Sequence, residues 1–560
     1  MTEIVAKDIM PKDVVTQESV SREVVNREIK GRVINVSNRL PILIRKHASG
    51  ARVERSSGGL ATALEAGWRD RPGIWVGWAG GTPNQQVDSL LVKASQGRSY
   101  TLRSVTLTEE EIAKFYSGFA NEIIWPLFHD MPSRCNFDPE YWEMYQRVNR
   151  KFGKVTAEIA TEDDFIWVHD YHLMLTAGAM RQAGVRAPMG FFLHTPFPGL
   201  DVFEKLPWKK PILKSLLEFD VIGFQSDHDR TNFIACLQRL LPEAVIEPGN
   251  PHLQVRLEAR HTVVGTFPIG IDFEEFAQQA ARPVIKAHSA EIRRRLSGDV
   301  LVLGVDRLDY TKGIPERLKS FRLLLGRFPE LRGHITLVQV VVPSREEIPN
   351  YKHLRREVEL LVSQINGEYT EPGWVPVHYI HRNLGRDELL AYYRAADVGL
   401  VTPLKDGMNL VAKEFCAAQI DERGVLIVSE FAGAGPELRS GAMVVNPNDF
   451  AEVAQALHDA AQMPVEEKRR RMHLLRDIVK DHSVQRWIRS FLQAMPSAAG
   501  GSKNGAAGDS GANSAGGRRG DETMPGVALV AAALSPHSRP RYQMGRDAKL
   551  RVLATASGED

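Results

Sequence analysis

The chain has 560 residues, which is enough for about two to four domains with separate hydrophobic cores. Hydrophobic residues make up 43% of it and charged residues 25%, a composition typical of a soluble globular protein. Basic residues exceed acidic ones by only 71 − 69 = 2, so the overall charge indicates neither a nucleic-acid partner nor a membrane surface, and any anion site must be local.

The cysteines indicate a reducing compartment. Cys135, Cys236 and Cys416 are far apart and odd in number, so they form neither a zinc motif nor a disulfide framework. The N-terminus lacks the apolar core of a secretory signal, and the longest late apolar run, residues 527–534, is too short to cross a bilayer. We therefore expect a cytoplasmic protein.

Short β-branched runs alternate with amphipathic helices from residue 31 to about residue 495. Residues 1–30 are polar and are interpreted as an N-terminal extension. Residues 496–560 begin with a Gly/Ala/Ser-rich segment and are predicted to be a disordered tail. The predicted strands are Val33–Val36, Ile74–Gly77, Phe165–His169, Gly190–Leu193, Val221–Phe224, Val300–Val305, Ile335–Val341, Val375–Ile380, Val398–Val401, Val425–Val428 and Met443–Val445.

Most of these strands are continuous apolar runs, which is typical of parallel strands covered by helices on both faces. The alternation predicts an α/β fold with two Rossmann-like doubly wound domains facing a cleft. We expect the first domain at 31–270, the second at 271–480, and a returning helix at 481–495 that braces the first. Because ligands bind beyond the carboxyl ends of such strands, the cleft is the predicted active site.

The segment VDRLDYTKG places Arg307 and Lys312 just after a predicted buried strand. Two cations at a strand end can hold a diphosphate from two sides. The alternative is a surface turn with two solvated cations.

The segment PLKDGMNLVAKEF follows another predicted strand and leads into a helix from Asn409. The N–H groups at a helix start form a diphosphate site, and Glu414, one turn later, can accept hydrogen bonds from ribose hydroxyls. Asp406 could bond sugar hydroxyls. The alternative is a plain helix cap by Asp406 or Asn409.

Three further positions follow predicted strands. Arg39 follows the first strand, and the pair Gly58-Gly59 precedes a helix, where backbone could approach a ligand closely; a bare connecting turn is the alternative. His194 follows a later strand, a place where a buried core histidine is common.

The segment WVHDYHLM places Asp170 between His169 and His172. A metal site is disfavoured, because three ligands so close on one loop rarely reach a common ion. A contact from Asp170 to a hydroxyl group is favoured. The D-x-D match at 227–229 is interpreted as an acidic helix start and not as a metal pair.

Taken together, the ordered segments resemble the retaining trehalose-6-phosphate synthases, family 20 glycosyltransferases of the GT-B fold. The resemblance runs from about Val33 to Leu492 and is carried by SNRLP, SGGL, FYSGFANEIIWPLFH, YWEMYQRVN, IWVHDYHL, GFFLHTPFP, VDRLDYTKGIPER, VPSR, INGEY and DVGLVTPLKDGMNLVAKE. It implies transfer of glucose from UDP-glucose, or another nucleoside-diphosphate glucose, to glucose 6-phosphate.

The resemblance also implies roles for individual residues. Residues expected at the glucose 6-phosphate are Arg39, Trp78, Tyr116, Trp125, Asp170 and Arg345. Residues expected at the nucleotide sugar are Gly58, Gly59, Arg307, Lys312, Leu384, Asp406, Asn409, Leu410, Val411, Ala412, Lys413 and Glu414. Residues expected at the reacting groups are Asp170, His194, Arg307, Lys312 and Asp406.

The family further implies no metal or other cofactor, a homo-oligomer such as a tetramer, and a separate phosphatase downstream. The alternatives are a sister transferase of the glucosylglycerol-phosphate synthase type and a catalytically inactive sugar-phosphate sensor. A bifunctional synthase–phosphatase is disfavoured, because residues 496–560 are too few for a phosphatase domain. The donor base is left open.

Overall fold

Two sheets dominate the described part of the chain. A computed structural model describes residues 31–47, 50–55, 59–67, 72–80, 86–296, 298–345 and 348–495. The predicted extension 1–30 and tail 496–560 lie outside these residues. The described residues all belong to one compact unit.

The first sheet has nine strands in the order β5-β4-β1-β6-β7-β8-β11-β10-β9. The strands from β5 to β11 in this order run parallel, and β10 and β9 are antiparallel additions at one edge. A separate antiparallel pair is formed by β2 and β3. The bounds are β1 (Val33–Arg39), β2 (Ile42–His47), β3 (Gly50–Arg55), β4 (Gly73–Trp78), β5 (Tyr100–Ser104), β6 (Phe165–His169), β7 (Met189–Phe192), β8 (Val221–Phe224), β9 (Val245–Glu247), β10 (Leu253–Leu257) and β11 (Arg260–Thr266).

The second sheet has six parallel strands in the order β14-β13-β12-β15-β16-β17. Its central strands are almost entirely buried, as their apolar sequences predict. The bounds are β12 (Val300–Arg307), β13 (Ile335–Val342), β14 (Val377–Ile380), β15 (Val398–Val401), β16 (Val425–Ser429) and β17 (Met443–Val445).

The helices that connect and cover these strands include one continuous segment whose middle part, Ile112–Ile124, has π-helical hydrogen bonding. None of the helices in the described ranges is long and apolar enough to cross a membrane. Their bounds are α1 (Gly59–Gly67), α2 (Gln86–Ser95), α3 (Glu109–Glu111), α4 (Trp125–Phe128), α5 (Pro139–Ala157), α6 (Thr176–Gln182), α7 (Leu200–Phe203), α8 (Lys209–Leu216), α9 (Asp227–Leu240), α10 (Phe273–Ala281), α11 (Pro283–Arg295), α12 (Ile314–Arg327), α13 (Pro349–Tyr369), α14 (Arg386–Ala395), α15 (Leu410–Ala418), α16 (Gly435–Leu438), α17 (Phe450–Gln462), α18 (Val465–Asp481) and α19 (Val484–Gln493).

The predicted strands and the two-sheet α/β architecture are confirmed. The sequence did not predict the β2–β3 pair, β5, or the short strands β9 to β11. Both β5 and β10 alternate polar and apolar residues. Neither therefore has the continuous apolar sequence that predicts a strand buried on both faces. The domain limits at 270 and 480 stay predictions.

The strand order reverses at one point in each sheet, between β1 and β6 in the first and between β12 and β15 in the second. A crevice forms at such a switch point, beyond the carboxyl ends of the strands. Arg39 ends β1 and Asp170 follows β6, whereas Arg307 ends β12 and the segment containing Asp406 follows β15. The topology alone therefore places the predicted residues at the two ligand-binding edges.

The helix α19 packs on the first sheet. Its apolar residues recur at helical spacing, so that one face is buried. Phe491 stacks on Trp167 with ring centroids 4.5 Å apart, and Trp487 lies 4.9 Å from the same ring. The last described helix thus joins the first sheet after the chain has completed the second.

Candidate active site

A cationic and aromatic cluster lies at the carboxyl end of β1. The Arg39 guanidinium carbon is 4.7 Å from the Trp78 ring centre and 4.9 Å from that of Tyr116. Burial would raise the pKa of the Tyr116 phenol, but the nearby charges of Arg39 and Arg345 outweigh burial and lower it. Three residues predicted at the acceptor, Arg39, Trp78 and Tyr116, are therefore in contact.

Trp125 extends this cluster across the cleft. It follows the π-helical segment that carries Tyr116, a type of distortion that is frequent at functional sites. Its indole N–H donates to Asp309 Oδ1 at 3.3 Å. The guanidinium of Arg345 lies 4.3 Å from the Trp125 ring centre, and that of Arg307 lies 5.9 Å from it. Acceptor-side and donor-side residues thus share one aromatic surface.

Arg345 is held in an unusual backbone conformation, with φ at 51°. Its Nη1 donates to the Tyr351 hydroxyl at 2.6 Å and to Asp309 Oδ2 at 3.3 Å, and its Nη2 donates to the Tyr171 hydroxyl at 3.4 Å. The side chain is buried, and both of its terminal nitrogens have hydrogen-bond partners.

Asp170 is a half-buried carboxylate with left-handed backbone, φ 74°. Burial raises the pKa of its carboxyl to about 6, although backbone N–H groups from Tyr171, His194 and Thr195 oppose that rise. The N–H of His194 donates to Asp170 Oδ1 at 3.3 Å. A carboxylate in this setting can accept a hydrogen bond from a sugar hydroxyl.

His194 belongs to a buried histidine pair. Its Nε2 lies 3.1 Å from His169 Nδ1, and its Nδ1 lies 3.2 Å from Met408 Sδ. Burial lowers the pKa of His194 to about 3, so the ring is neutral near pH 7. His172, in contrast, stacks on Tyr116 and makes a tilted contact with the Tyr171 ring. Within the described ranges, no group of three or more His, Cys, Asp or Glu side chains is arranged to hold a metal ion.

The donor-side loop follows β12. Lys312 Nζ donates to Asp406 Oδ2 at 2.5 Å, and Asn409 Nδ2 donates to the same oxygen at 3.1 Å. The turn then passes through Gly313, whose φ is 63° and whose missing side chain leaves room for the carbonyl of Thr402. The predicted diphosphate residue and the predicted glucose residue are therefore paired directly.

A buried network supports this loop from below. Arg317 pairs with Asp306 and donates to Thr402 Oγ1 at 3.0 Å and to Gln339 Oε1 at 3.1 Å. Because each polar group is satisfied, the loop after β12 and the loop after β15 are held in one arrangement. Arg307, by contrast, is exposed, and within the described ranges it has no hydrogen-bond or carboxylate partner.

The helix α15 begins directly after the loop that carries Asp406. Asn409 has left-handed backbone and caps the helix by accepting from the Ala412 N–H at 3.1 Å. The first N–H groups of a helix, here those of Leu410 and Val411, have no intrahelical partner. The structure therefore shows the helix cap by Asn409, and the diphosphate role of the same helix start stays a prediction.

Glu414 lies one turn into α15 and lines a cavity together with Leu410, Ala63 and Ile271. Its Oε2 accepts from the Tyr393 hydroxyl at 2.8 Å, and burial raises the pKa of the carboxyl. Since Ala63 lies on α1, the helix that begins at Gly59 borders the same cavity. Gly58 lies outside the described residues.

The Lys413 side chain does not fit its predicted role at the nucleotide sugar. Its ammonium is fully buried and donates to the Ile269 carbonyl and to Glu437 Oε2, both at 2.7 Å. It therefore ties α15 to the segment that joins the two sheets, and only its backbone could reach a ligand. The Leu384 side chain is also buried, so its predicted base contact would come from the backbone.

The two halves of the cleft are in contact. A side chain at Gly407 would lie 2.2 Å from the His194 carbonyl oxygen, so glycine permits this approach. At the rim, Lys405 forms an ion pair with Asp130, and the Arg134 guanidinium lies 4.7 Å from the Tyr310 ring centre. The site residues of both sheets are thus assembled in one closed arrangement.

Sequence reasoning missed Asp309 and Tyr351, which hold Arg345. Asp309 stands in the segment VDRLDYTKG, between Leu308 and Tyr310, and an acidic residue flanked by apolar ones is a signal of burial with a partner. Tyr351 gave no comparable signal. The D-x-D pair does begin a helix: Asp229 Oδ1 accepts from the Phe197 N–H at 2.8 Å.

The chain matches the family model described as glycosyltransferase family 20 over residues 31–497. The chain belongs to glycosyltransferase family 20. This family assignment, together with the two doubly wound sheets, makes it a GT-B glycosyltransferase, and the resemblance drawn from the sequence is confirmed.

Curated family 20 relatives cover nearly the same residues. A trehalose-6-phosphate synthase of Mycobacterium avium (strain 104) is 43% identical over 466 residues, which are 82% of this chain and 94% of the relative. An alpha,alpha-trehalose-phosphate synthase [UDP-forming] A of Dictyostelium discoideum is 38% identical over 466 residues, covering 83% of this chain and 62% of the relative.

Solved family 20 structures agree in fold. An alpha,alpha-trehalose-phosphate synthase (UDP-forming) of Burkholderia xenovorans, in complex with glucose-6-phosphate, superposes with a TM-score of 0.76 at 34% identity and covers 83% of this chain and 100% of that one. An E. coli structure bound with UDP-2-fluoro glucose gives a TM-score of 0.74 at 34% identity, covering 83% and 99%.

Proposed function

We propose that this enzyme transfers glucose from UDP-glucose to glucose 6-phosphate with retention of configuration, forming α,α-trehalose 6-phosphate and UDP. The observation that carries the proposal is the contact between two clusters across the cleft. One contains Arg39, Tyr116 and Trp125, and the other contains Arg307 and Arg345. The names of the relatives, and the two ligands named with the solved structures, support the same reaction.

The acceptor phosphate would bind between Arg39 and Arg345. A phosphate dianion in a buried site needs positive charge and several well-directed hydrogen-bond donors. The aromatic rings of Trp78, Tyr116 and Trp125 would line the sugar ring, since such faces pack against its apolar C–H groups. Glycerol 3-phosphate would fill this aromatic pocket poorly.

The donor diphosphate would bind between Arg307, Lys312 and the start of α15. These charges would stabilise the negative charge that develops on the departing UDP, and such electrostatic stabilisation usually contributes more to the rate than any other effect. Because this neutralisation needs no metal, we expect full activity after treatment with a chelator. Asp406 and His194 would contact the glucose being transferred, and Glu414 the ribose.

In the reaction, the bond between the anomeric carbon and the diphosphate oxygen breaks, while the 1-hydroxyl oxygen of the acceptor bonds to the same face of that carbon. The hydroxyl proton passes to the departing phosphate oxygen. Asp406 is a poor candidate for a covalent intermediate, because Lys312 and Asn409 occupy its Oδ2. The closed cleft would exclude water that hydrolyses the donor.

The test is product identification by mass spectrometry and NMR, with UDP-glucose and either glucose 6-phosphate or glycerol 3-phosphate. We expect an α,α-1,1-linked disaccharide phosphate from glucose 6-phosphate alone. Arg307→Ala should lower kcat by about 10²–10³-fold. Arg322→Ala removes an exposed arginine that pairs with Glu368 on the outer helices and should keep kcat unchanged.

Product from glycerol 3-phosphate alone would assign a sister transferase instead. Ligand binding without product from UDP-, ADP- or GDP-glucose would indicate a sensor. We further propose a cytoplasmic homo-oligomer, such as a tetramer, whose product is dephosphorylated by a separate phosphatase. Its three free cysteines support a reducing compartment.

A further inference from the structure

Asp309 is a fully buried carboxylate at the boundary between the donor loop and the acceptor pocket. Its Oδ1 accepts from the Thr311 N–H at 3.2 Å, the Thr311 hydroxyl at 3.1 Å and the Trp125 indole N–H at 3.3 Å. Its Oδ2 accepts from Arg345 Nη1 and from the Tyr351 hydroxyl, both at 3.3 Å. The contact between Asp309 and Trp125 alone spans 184 positions of the sequence.

The first consequence concerns Arg345. A buried guanidinium without a counter-charge would be strongly disfavoured, and Asp309 supplies that charge. Asp309 and the Tyr351 hydroxyl both accept hydrogen bonds from Arg345 Nη1, and the Tyr171 hydroxyl accepts one from Arg345 Nη2. The planar group is therefore fixed in one orientation, 4.3 Å above Trp125.

The second consequence concerns charge. Asp309 balances Arg345, so this pair adds little net attraction for an anion. Within the described ranges, Arg39 and Arg307 form no ion pair with a carboxylate. What Asp309 contributes to phosphate binding is therefore orientation and not attraction.

The third consequence concerns the donor loop. Asp309 stands two residues after Arg307 and three before Lys312, and it caps the turn that carries Lys312. Positive charges of Arg345, Arg307 and Lys312 outweigh burial and lower the pKa of its carboxyl, so it is ionised at neutral pH. Any shift of this turn on binding a diphosphate must move the carboxylate that holds Arg345 and Trp125.

We propose that Asp309 is a positioning residue that couples the two substrate sites. When the diphosphate-binding turn is ordered, its carboxylate holds the residues that receive the acceptor phosphate in their binding orientation. The inference rests on the proposed function. Binding of UDP and of glucose 6-phosphate is then mutually favourable, and by linkage each ligand increases the affinity for the other by the same factor.

The test measures that factor by calorimetric titration of glucose 6-phosphate, with and without saturating UDP. UDP and the acceptor cannot react with each other, so binding is isolated from turnover. For the wild-type chain we expect UDP to tighten acceptor binding by about 5-fold or more. In Asp309→Asn, which keeps the size of the side chain, the factor should fall to about 1, while the affinity for UDP alone changes by less than about 3-fold.

Two smaller changes keep the test independent of the folding of that variant. Trp125→Phe removes the indole donor together with part of the ring, whereas Tyr351→Phe removes only the hydroxyl. Each should reduce the factor in part. Combined with Asp309→Asn they should cause no further loss, because all three act through one carboxylate. The matched control is Asp397→Asn, a half-buried carboxylate, which pairs with Arg293 at 2.7 Å at the opposite end of the sheet. It should lower stability and leave the factor unchanged.

An unchanged factor in folded Asp309→Asn, or an equal weakening of both ligands, would overturn the role of Asp309. Loss of the factor in Asp397→Asn would do so as well, since it would indicate a general effect of stability. Absence of disaccharide phosphate from the wild-type chain would instead overturn the proposed function.

Discussion

Gly407 lies where the two halves of the cleft touch, and replacing it with alanine tests whether this contact sets the geometry of the reaction. The added Cβ would lie 2.2 Å from the His194 carbonyl oxygen and 2.8 Å from the Thr195 Cα. These are backbone atoms, so no side-chain rotation relieves the overlap. Because non-bonded heavy atoms pack at about 3.5 Å, the loop with Asp406 and the segment with His194 must separate by about 1 Å.

A displacement of about 1 Å between reacting groups costs on the order of 10²-fold in rate. We therefore expect Gly407→Ala to lower kcat about 10²-fold, equivalent to about 2.7 kcal/mol in the activation free energy. The free energy of unfolding should fall by only about 1–3 kcal/mol, since this is one overpacked contact. The assay is UDP release at saturating substrates, together with urea unfolding.

Gly367→Ala is the matched control, because a Cβ at this helical position meets no atom within 4 Å. It should keep kcat and raise stability by up to about 1 kcal/mol. If Gly407→Ala keeps kcat within about 3-fold of the wild-type value, the contact does not set the catalytic geometry and the reasoning fails.

Three other changes test separate features. Burial raises the pKa of Asp170 from 3.8 to about 6, so the native state binds this proton more tightly than the unfolded chain does. The contribution of the protonated Asp170 carboxyl to stability is therefore complete below pH 4 and is lost as pH rises to 6. The difference in urea-unfolding free energy between wild type and Asp170→Asn should therefore decrease from pH 4 to pH 6 and then stay constant. Asp130→Asn breaks the rim ion pair with Lys405 and should raise the KM for UDP-glucose by up to about 5-fold at low salt. In steady-state assays this increase in KM should vanish at high salt, because salt screens the ion pair. Phe491→Ala removes a fully buried ring of α19 and should lower the free energy of unfolding by about 3–5 kcal/mol, measured by urea titration.

Each of these three predictions could be contradicted by a specific result. A constant difference across pH 4–6 would mean that Asp170 titrates normally. A KM effect of Asp130→Asn that persists at high salt would exclude a screened ion pair as its cause. Equal stability of Phe491→Ala and an exposed control, Val465→Ala, would mean that α19 does not brace the first sheet.

The sequence by itself determined the central strands, the two-sheet fold and the family. Continuous apolar runs such as Val300–Val305 are local signals, since burial on both faces leaves no polar residue in the run. Motif residues at strand ends, such as Arg39 and Arg307, followed from the rule that the carboxyl ends of parallel strands meet at one edge.

Only the tertiary structure decided which side chains meet. Asp309 contacts Trp125 across 184 positions, and Lys405 reaches Asp130 across 275. Lys413 stands in a motif at the site, yet its side chain points to Ile269 because the helical period turns it away from the cleft. Hydrophobic periodicity reports which face of an element is buried, but the pairing of two polar groups depends on how separate elements pack, and that is a property of the assembled fold.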